Sequence, residues 1–244
     1  MGKADLHIHT TESDGLSHWR TVIEFVERDT DLDVIAITDH EDVTAGLRAR
    51  EEAARRHFRV EVIPGAEVTT LQGHVLALFV EEEPPIFRSL ERTLAWIHER
   101  GGLAIVPHPM SYLTRSLGRR AIDRVCARRR DGVYFDAIEI GNPSPAGRVR
   151  AAAAARLNGE RWHLPEVGSS DAHHLLHIGK GWTNFPGRSA AELKEAIVSG
   201  AVSFGQVRYP SAREVGYGRL AWGVARGFAA TPRKVARRLS RRLR

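Results

Sequence analysis

Five short apolar runs within residues 4 to 173 lead into a histidine, an aspartate or a glutamate, and no other feature restricts the fold of this chain as much. Ala4 to His9 reads as a strand whose His7 and His9, two apart, share one face. Asp33 to Thr38 (Asp-Val-Ile-Ala-Ile-Thr) is nearly continuously apolar, as in a strand buried on both sides, and leads into Asp39-His40. Val60 to Val68 carries Glu67, Leu103 to Val106 leads into His108 between two prolines, and Leu164 to Val167 leads into Asp171 and His173. His74 opens a further strand, His74 to Val80, and Gly73 separates it from Val60 to Val68, so these two read as an antiparallel pair. Ala137 to Ile140 is another strand, and Asp14 sits in the turn Glu12-Ser13-Asp14-Gly15.

Helical patterns fill the intervals: Trp19 to Arg28, Thr44 to His57, Leu90 to Arg100, Ala121 to Arg130, the Ala-rich stretch Ala146 to Leu157, and Ala190 to Ser199. Alternation of this kind predicts an α/β domain with a mainly parallel sheet, open or closed into a barrel. In both arrangements the working residues collect at the carboxyl ends of the strands. Five strand ends therefore deliver ionisable groups to one rim. Taken singly, each group has an ordinary explanation as a cap, a turn residue or a surface charge. Together they would be costly to bury unless paired or bound to metal.

Imidazole and carboxylate ligands suit zinc, manganese or iron. Two such ions about 3.5–4 Å apart can activate a water and clamp the oxygens of a displacement at phosphorus. Cys126 is the one cysteine in 244 residues, so neither an internal disulfide nor a thiolate zinc site can form, as expected of a protein in a reducing cytosol. No run of about 18 apolar residues predicts a membrane span, and Met1 to Asp5 does not open a signal peptide, so a cytoplasmic location is expected. Residues 206 to 244 hold eleven Arg or Lys against one acid, Glu214, a charge of +10; with +6 for the whole chain, residues 1 to 205 carry −4. The basic character thus belongs to the tail.

The ligand-type residues lie in seven motifs: Asp5-Leu6-His7-Ile8-His9-Thr10, Ser13-Asp14-Gly15, Ile37-Thr38-Asp39-His40, Pro64-Gly65-Ala66-Glu67, Gly73-His74, Pro107-His108-Pro109 and Ser170-Asp171-Ala172-His173. In order and spacing these resemble the PHP family, the polymerase and histidinol phosphatase domains. The resemblance implies a distorted (β/α)7 barrel with two or three divalent ions (Mn, Zn or Fe) at the C-terminal rim of its strands. It implies that His7, His9, Glu67 and Asp171 hold a first metal. Glu67 would bridge to a second, completed by His74 and His108, while Asp14, His40 and His173 would hold a third. Some members carry His where Asp14 stands, which makes the third site here more anionic.

The activity so implied is metal-dependent phosphoester hydrolysis, in which a metal-bridging hydroxide attacks a phosphomonoester and Glu67, Asp171 and His173 are catalytic. Within the family the chain resembles a compact type acting on nucleoside 3′,5′-bisphosphates and short oligonucleotide 5′ ends. That type often carries an inserted domain, for which the 62 residues between His108 and Asp171 leave little room. Histidinol-phosphate hydrolysis is the alternative reaction, and a non-catalytic metal-binding module recruited by its tail is the alternative class. The complete ligand set speaks against the latter.

A small phosphorylated substrate needs cations, and Arg115, Arg119, Arg120 and Lys180 follow ligand motifs in loops where a guanidinium or ammonium could meet phosphate. His174 and His177 are placed at the mouth of the site, as an acid for the leaving group, whereas His18, His57, His98 and His163 read as surface residues. The division expected is a metal-dependent phosphoesterase domain over 1–205 and a basic, partly helical tail over 206–244. In that tail Val235, Leu239 and Leu243 recur every fourth residue among arginines, a basic amphipathic pattern suited to an anionic membrane surface or to RNA.

Overall fold

The computed structural model describes residues 1–128 and 132–218, together with 221, 222 and 225. Nine strands among them form one curled sheet. Gly2–Ile8 (β1), Val34–Ile37 (β2), Glu61–Thr69 (β3), His74–Leu78 (β4), Leu103–Val106 (β5), Ala137–Gly141 (β6) and Glu166–Gly168 (β7) lie side by side in chain order. Gly181–Phe185 (β8) and Ser203–Gln206 (β9) extend the sheet from the free edge of β1.

The helices pack outside: Trp19–Asp29 (α1), Thr44–Arg55 (α2), Leu90–Glu99 (α3), Arg119–Ala127 (α4), Pro145–Arg148 (α5), Ala151–Leu157 (α6), Ala190–Ser199 (α7) and Ala212–Val215 (α8). Their buried faces follow helical spacing. In α1, Trp19, Val22, Ile23 and Val26 are covered, while the Ser89 hydroxyl caps α3 by accepting from the Arg92 amide at 3.3 Å.

Strand alternation sorts the apolar side chains into two layers. Leu6, Val34, Ile63, Leu76, Ile105 and Ala137 meet inside the curl. Their neighbours of opposite parity, among them Ile35 and Ile37 over α1 and α2, or Val68 and Val106 over α3 and α4, face the helices. The curl closes at the rim where β1 ends. There Ala172 bridges Ile8 in parallel fashion, with His9 N–H donating to Ala172 O at 2.9 Å and Ala172 N–H to His7 O at 3.0 Å. Lower down, β8 intrudes. The Thr183 hydroxyl accepts from Gly168 N–H at 3.0 Å and approaches Gly168 O at 2.8 Å, tying β8 to β7 by a side chain where no ladder forms. The fold is thus the expected α/β barrel, distorted by this intrusion.

Three expectations need correction. The sheet is not mainly parallel: β3–β4, β4–β5, β1–β8 and β8–β9 are antiparallel, half of the eight pairings. Besides the expected hairpin, this stems from β8 and β9, which the helix–strand alternation did not announce, although Gly181-Trp-Thr-Asn-Phe has the β-rich alternation of a strand. The helix expected over Ala146 to Leu157 is two. Ser144 caps a single turn starting at Pro145, Arg150 leaves helical geometry at φ −129°, ψ 12°, and the alanine run starts afresh. Finally, the boundary expected after residue 205 falls inside β9, and the chain beyond stays packed, with Val207 N–H donating to Lys180 O at 2.8 Å. The tail stripe Val235–Leu239–Leu243 lies outside the described residues. No helix among the described residues is long and apolar enough to cross a membrane.

Candidate metal centre

The side chains that face the barrel interior lower down become ligands at its rim. Glu67 follows Ile63 at even spacing on β3, His74 precedes Leu76 and Leu78 on β4, and His40 continues the inward series Val34, Ala36 of β2. β1 needs an adjustment. Its Leu6 points inward, yet Ile8 packs outward with Trp19 and Ile23, and the pairing register with β2 shifts between Asp5 and Ile8. This bulge turns the strand so that His7 and His9 also face the centre. His108 and Asp171 reach it from left-handed backbone, φ 28° and φ 51°, conformations that side chains other than glycine adopt only where the surroundings impose them.

All nine expected ligands converge. His7 Nε2 and His9 Nε2 stand 3.1 Å apart. Glu67 Oε2 lies 3.4 Å from each of them, and Asp171 Oδ1 lies 3.5 Å from the first and 3.6 Å from the second. A tetrahedral ion with bonds of about 2.0–2.1 Å needs ligand atoms roughly 3.3–3.4 Å apart. The five separations among these atoms run from 3.1 to 3.6 Å and bracket that size. The other oxygen of Glu67 lies 2.7 Å from His74 Nδ1 and 2.9 Å from His108 Nε2. Around Asp14 stand His9 at 3.3 Å, His40 at 3.4 Å and His173 at 3.1 Å. His40 Nδ1, 3.3 Å from Glu67, is buried and makes no hydrogen bond. Two imidazole nitrogens in contact, carboxylates between histidines and an orphaned ring nitrogen together suit a cluster of divalent cations.

The protonation of the site supports the same conclusion. Burial opposes ionisation of Glu67, but His74, His40 and His7 hold its carboxyl well below the usual range. Asp14 is likewise opposed by burial and held low by His173 and His40. In return, and against the effect of burial, Asp14 and Glu67 push His40 up to about 10, and Asp14 pushes His173 up to about 9. His9, hemmed in by burial and the charge of His173, falls to about 4. Protons on His40 and His173 thus balance carboxylates that metal would otherwise neutralise.

Several positioning residues escaped the sequence reading. Glu139 on β6 is buried behind the cluster. Its Oε1 takes His7 Nδ1 at 3.1 Å and the Ser169 hydroxyl; its Oε2 takes the His108 amide at 2.6 Å and Asn142 Nδ2 at 2.7 Å. It fixes the ring of His7 with Nε2 toward His9 and Glu67. Asp5 accepts from the amides of Ser170 at 2.9 Å and Gly179 at 2.8 Å, fastening the Asp171 loop to β1, and Asp39 accepts from the Thr10 amide at 2.8 Å and from the hydroxyls of Thr10 and Ser13. Burial raises both carboxyls to about 6, against these hydrogen bonds. A lone acid in an otherwise apolar strand, Ala-Ile-Glu-Ile-Gly, was the available signal for Glu139.

Above the cluster opens a pocket of about 440 Å³ whose far wall is apolar, with Leu16, Leu113, Pro145 and Pro210. None of the cations expected to bind substrate lines it. Arg115 is exposed near Phe87, Arg119 and Arg120 open α4 away from the pocket, and half-buried Lys180, just ahead of β8, is not part of its lining. His174 and His177 do line it, as expected. His177 is driven down to about 4 by burial and by His174, so it is neutral at pH 7 and ill suited to protonate a leaving group. Tyr209 stacks on His177 at 4.0 Å, and its hydroxyl donates to Asp171 O at 3.2 Å, so the segment after 205 reaches the site. Of the histidines read as surface residues, His18, His57 and His163 are exposed, whereas His98 is largely covered and pairs with Asp136 at 3.0 Å.

Fold and site define a barrel protein built to hold divalent cations among histidines and carboxylates at one rim. Residues 150–202 match the family model described as PHP-associated. An uncharacterized protein of Methanocaldococcus jannaschii is 37% identical over 151 residues, 57% of this chain and 81% of that relative. The 5′-3′ exoribonuclease Rnm of Salmonella typhimurium is 38% identical over 90 residues, and the chain spans 30% of it. Among solved structures, a two-domain Bacteroides vulgatus protein containing a predicted PHP-like metal-dependent phosphoesterase superposes with a TM-score of 0.66 at 20% identity, covering 84% of this chain and 64% of that one. The chain belongs to the PHP family.

Proposed function

We propose that this protein is a metal-dependent phosphoester hydrolase acting on a phosphomonoester. The observation that carries this reading is the cluster in which the Glu67 and Asp171 carboxylates each approach both His7 and His9 within 3.6 Å, while the second Glu67 oxygen serves His74 and His108. We assign His7, His9, Glu67 and Asp171 to one ion, Glu67, His74 and His108 to a second, and Asp14, His40 and His173 to a third. When bound, divalent manganese, zinc or iron supplies Lewis acidity and a nucleophile at neutral pH. The chain's own residues do the rest. Glu139 and Ser116, the latter 2.7 Å from His108 Nδ1, orient the imidazoles. Tyr209 and Ser144, the latter 3.2 Å from Asp171 Oδ2, hold the Asp171 loop. The apolar wall keeps water from the leaving group's side of the pocket. Because no Arg or Lys is among the described residues lining it, the phosphoryl group is held by the metal cluster itself, and a simple monoester is the substrate we place first. Bisphosphates and oligonucleotide 5′ ends need a cation from elsewhere.

The test is turnover of p-nitrophenyl phosphate by the full chain, before chelation, after it, and after Mn²⁺ is restored. Loss on chelation with recovery on Mn²⁺ is expected; turnover indifferent to metal, or absent from protein shown to contain metal, would sink the reading.

A further inference from the structure

Beside the metal pocket, across the loop 109–117, lies a second cleft of about 410 Å³. Three arginines border it from separate places: Arg119 at the start of α4, Arg150 ahead of α6 and Arg156 within α6. Ser111 and Ser116 border it as well, and so does Gly118, whose missing side chain leaves open space and the first turn of α4 without a side-chain cap. The arginines are weakly engaged. Arg119 lies 3.3 Å from Asp123, Arg156 3.7 Å from Glu160, and Arg150 sits 5.9 Å over the exposed ring of Tyr112.

We propose that this cleft is an accessory phosphate site, in which Arg150, Arg156 and Arg119 hold a phosphate group and Ser116 donates to it. Guanidinium groups meet phosphate oxygens through paired, charge-assisted hydrogen bonds, and the uncapped amides of α4 add a favourable dipole. Ser116 also joins the two sites. Its oxygen is 2.7 Å from His108 Nδ1, and the opposite nitrogen of that ring faces Glu67. If the ring donates to Ser116, the serine proton is free to turn toward the cleft. A phosphate in the cleft can then accept it. The one loop forms the wall between sites: Leu113 and Thr114 face the metal pocket, Ser111 and Ser116 the cleft. The group could be a second phosphate on a substrate spanning this loop, or free phosphate released by the reaction. The inference rests on the proposed phosphoester reading for its purpose but not for its test.

Inorganic phosphate is titrated calorimetrically into the metal-free full chain, and into Arg150→Ala/Arg156→Ala, whose replaced side chains are exposed and should leave the thermal midpoint unchanged. Affinity should fall about tenfold or more in the double variant, the scale of losing charged hydrogen bonds. Equal affinity in the two proteins, or phosphate binding lost equally in His40→Ala with the arginines intact, would overturn the site. On the manganese-loaded enzyme, a KM raised for a nucleoside 3′,5′-bisphosphate but not for p-nitrophenyl phosphate identifies a substrate phosphate. Altered inhibition by inorganic phosphate with both KM values unchanged identifies the free ion. Should no ester turn over, the phosphoester reading fails, while the titration still decides the cleft.

Discussion

Two oxygens of Glu139 receive four donors: His7, Ser169, the His108 amide and Asn142. A carboxylate suits this, since it only accepts, whereas glutamine would aim an amide N–H at two of the donors. Glu139→Gln should therefore weaken metal binding about 10- to 100-fold, the usual range for such outer partners, read by competition with a chelating dye. Unchanged affinity would deny it a role in aiming His7. The charge state of the cluster gives a second expectation. In the metal-free protein His40 and His173, at about 10 and about 9, carry protons at pH 7.5, yet they must be neutral to bind an ion. Metal binding should release protons near pH 7.5, and apparent affinity should rise with pH toward 9–10; calorimetry in two buffers of different ionisation heat measures the release. At this scale most of the candidate ligands were legible because they stand at the end of an apolar run, whereas Asp14 lies in a turn and His74 opens a strand. Glu139, Asp5 and Asp39 were not, because what they hold comes from remote segments. Asp5 and Ser170, for instance, are 165 residues apart.

Among the elements, the barrel strands β1 to β7 and most helices could be read from periodicity, with ends off by at most three residues. What could not be read was the closure. A barrel of these strands needs β7 to meet β1, but β8 wedges in, and nothing local to Gly181–Phe185 says which edge it will pair with. Small residues make the wedge possible. A Cβ on Gly168 would come within 2.4 Å of the Trp182 carbonyl oxygen, which is backbone and cannot swing aside. Gly168→Ala should cost about 1–3 kcal/mol, as overpacking does, visible as a lower unfolding midpoint in denaturant with unchanged slope. A midpoint equal to the parent's would mean that β7 and β8 have room to part.

For the molecule as a whole, charge and chemistry are separable, though not at the boundary that composition suggested. Tyr209, Pro210 and Ala212 border the metal pocket, so the segment just after β9 belongs with the barrel. The seven positive charges of residues 232 to 244 are a different matter, since none of the nine ligands lies beyond His173. We propose that they govern attachment to anionic surfaces, membrane or RNA. Deleting them should abolish binding to anionic liposomes or RNA at low salt and leave p-nitrophenyl phosphate turnover within about twofold, or about 0.4 kcal/mol of barrier. Collapse of turnover in a folded truncation would place the tail in the active site. The rim bridge between Ile8 and Ala172 has a consequence for biosynthesis. During synthesis His7 and His9 leave the ribosome some 160 residues ahead of the Asp171 carboxylate that joins them and of the backbone that braces it. Pairings so distant in sequence form slowly, after the local ones. Until then the early histidines are loose ligands open to whichever ion is abundant, and selection of the right metal must wait until the seventh strand has been made and seated.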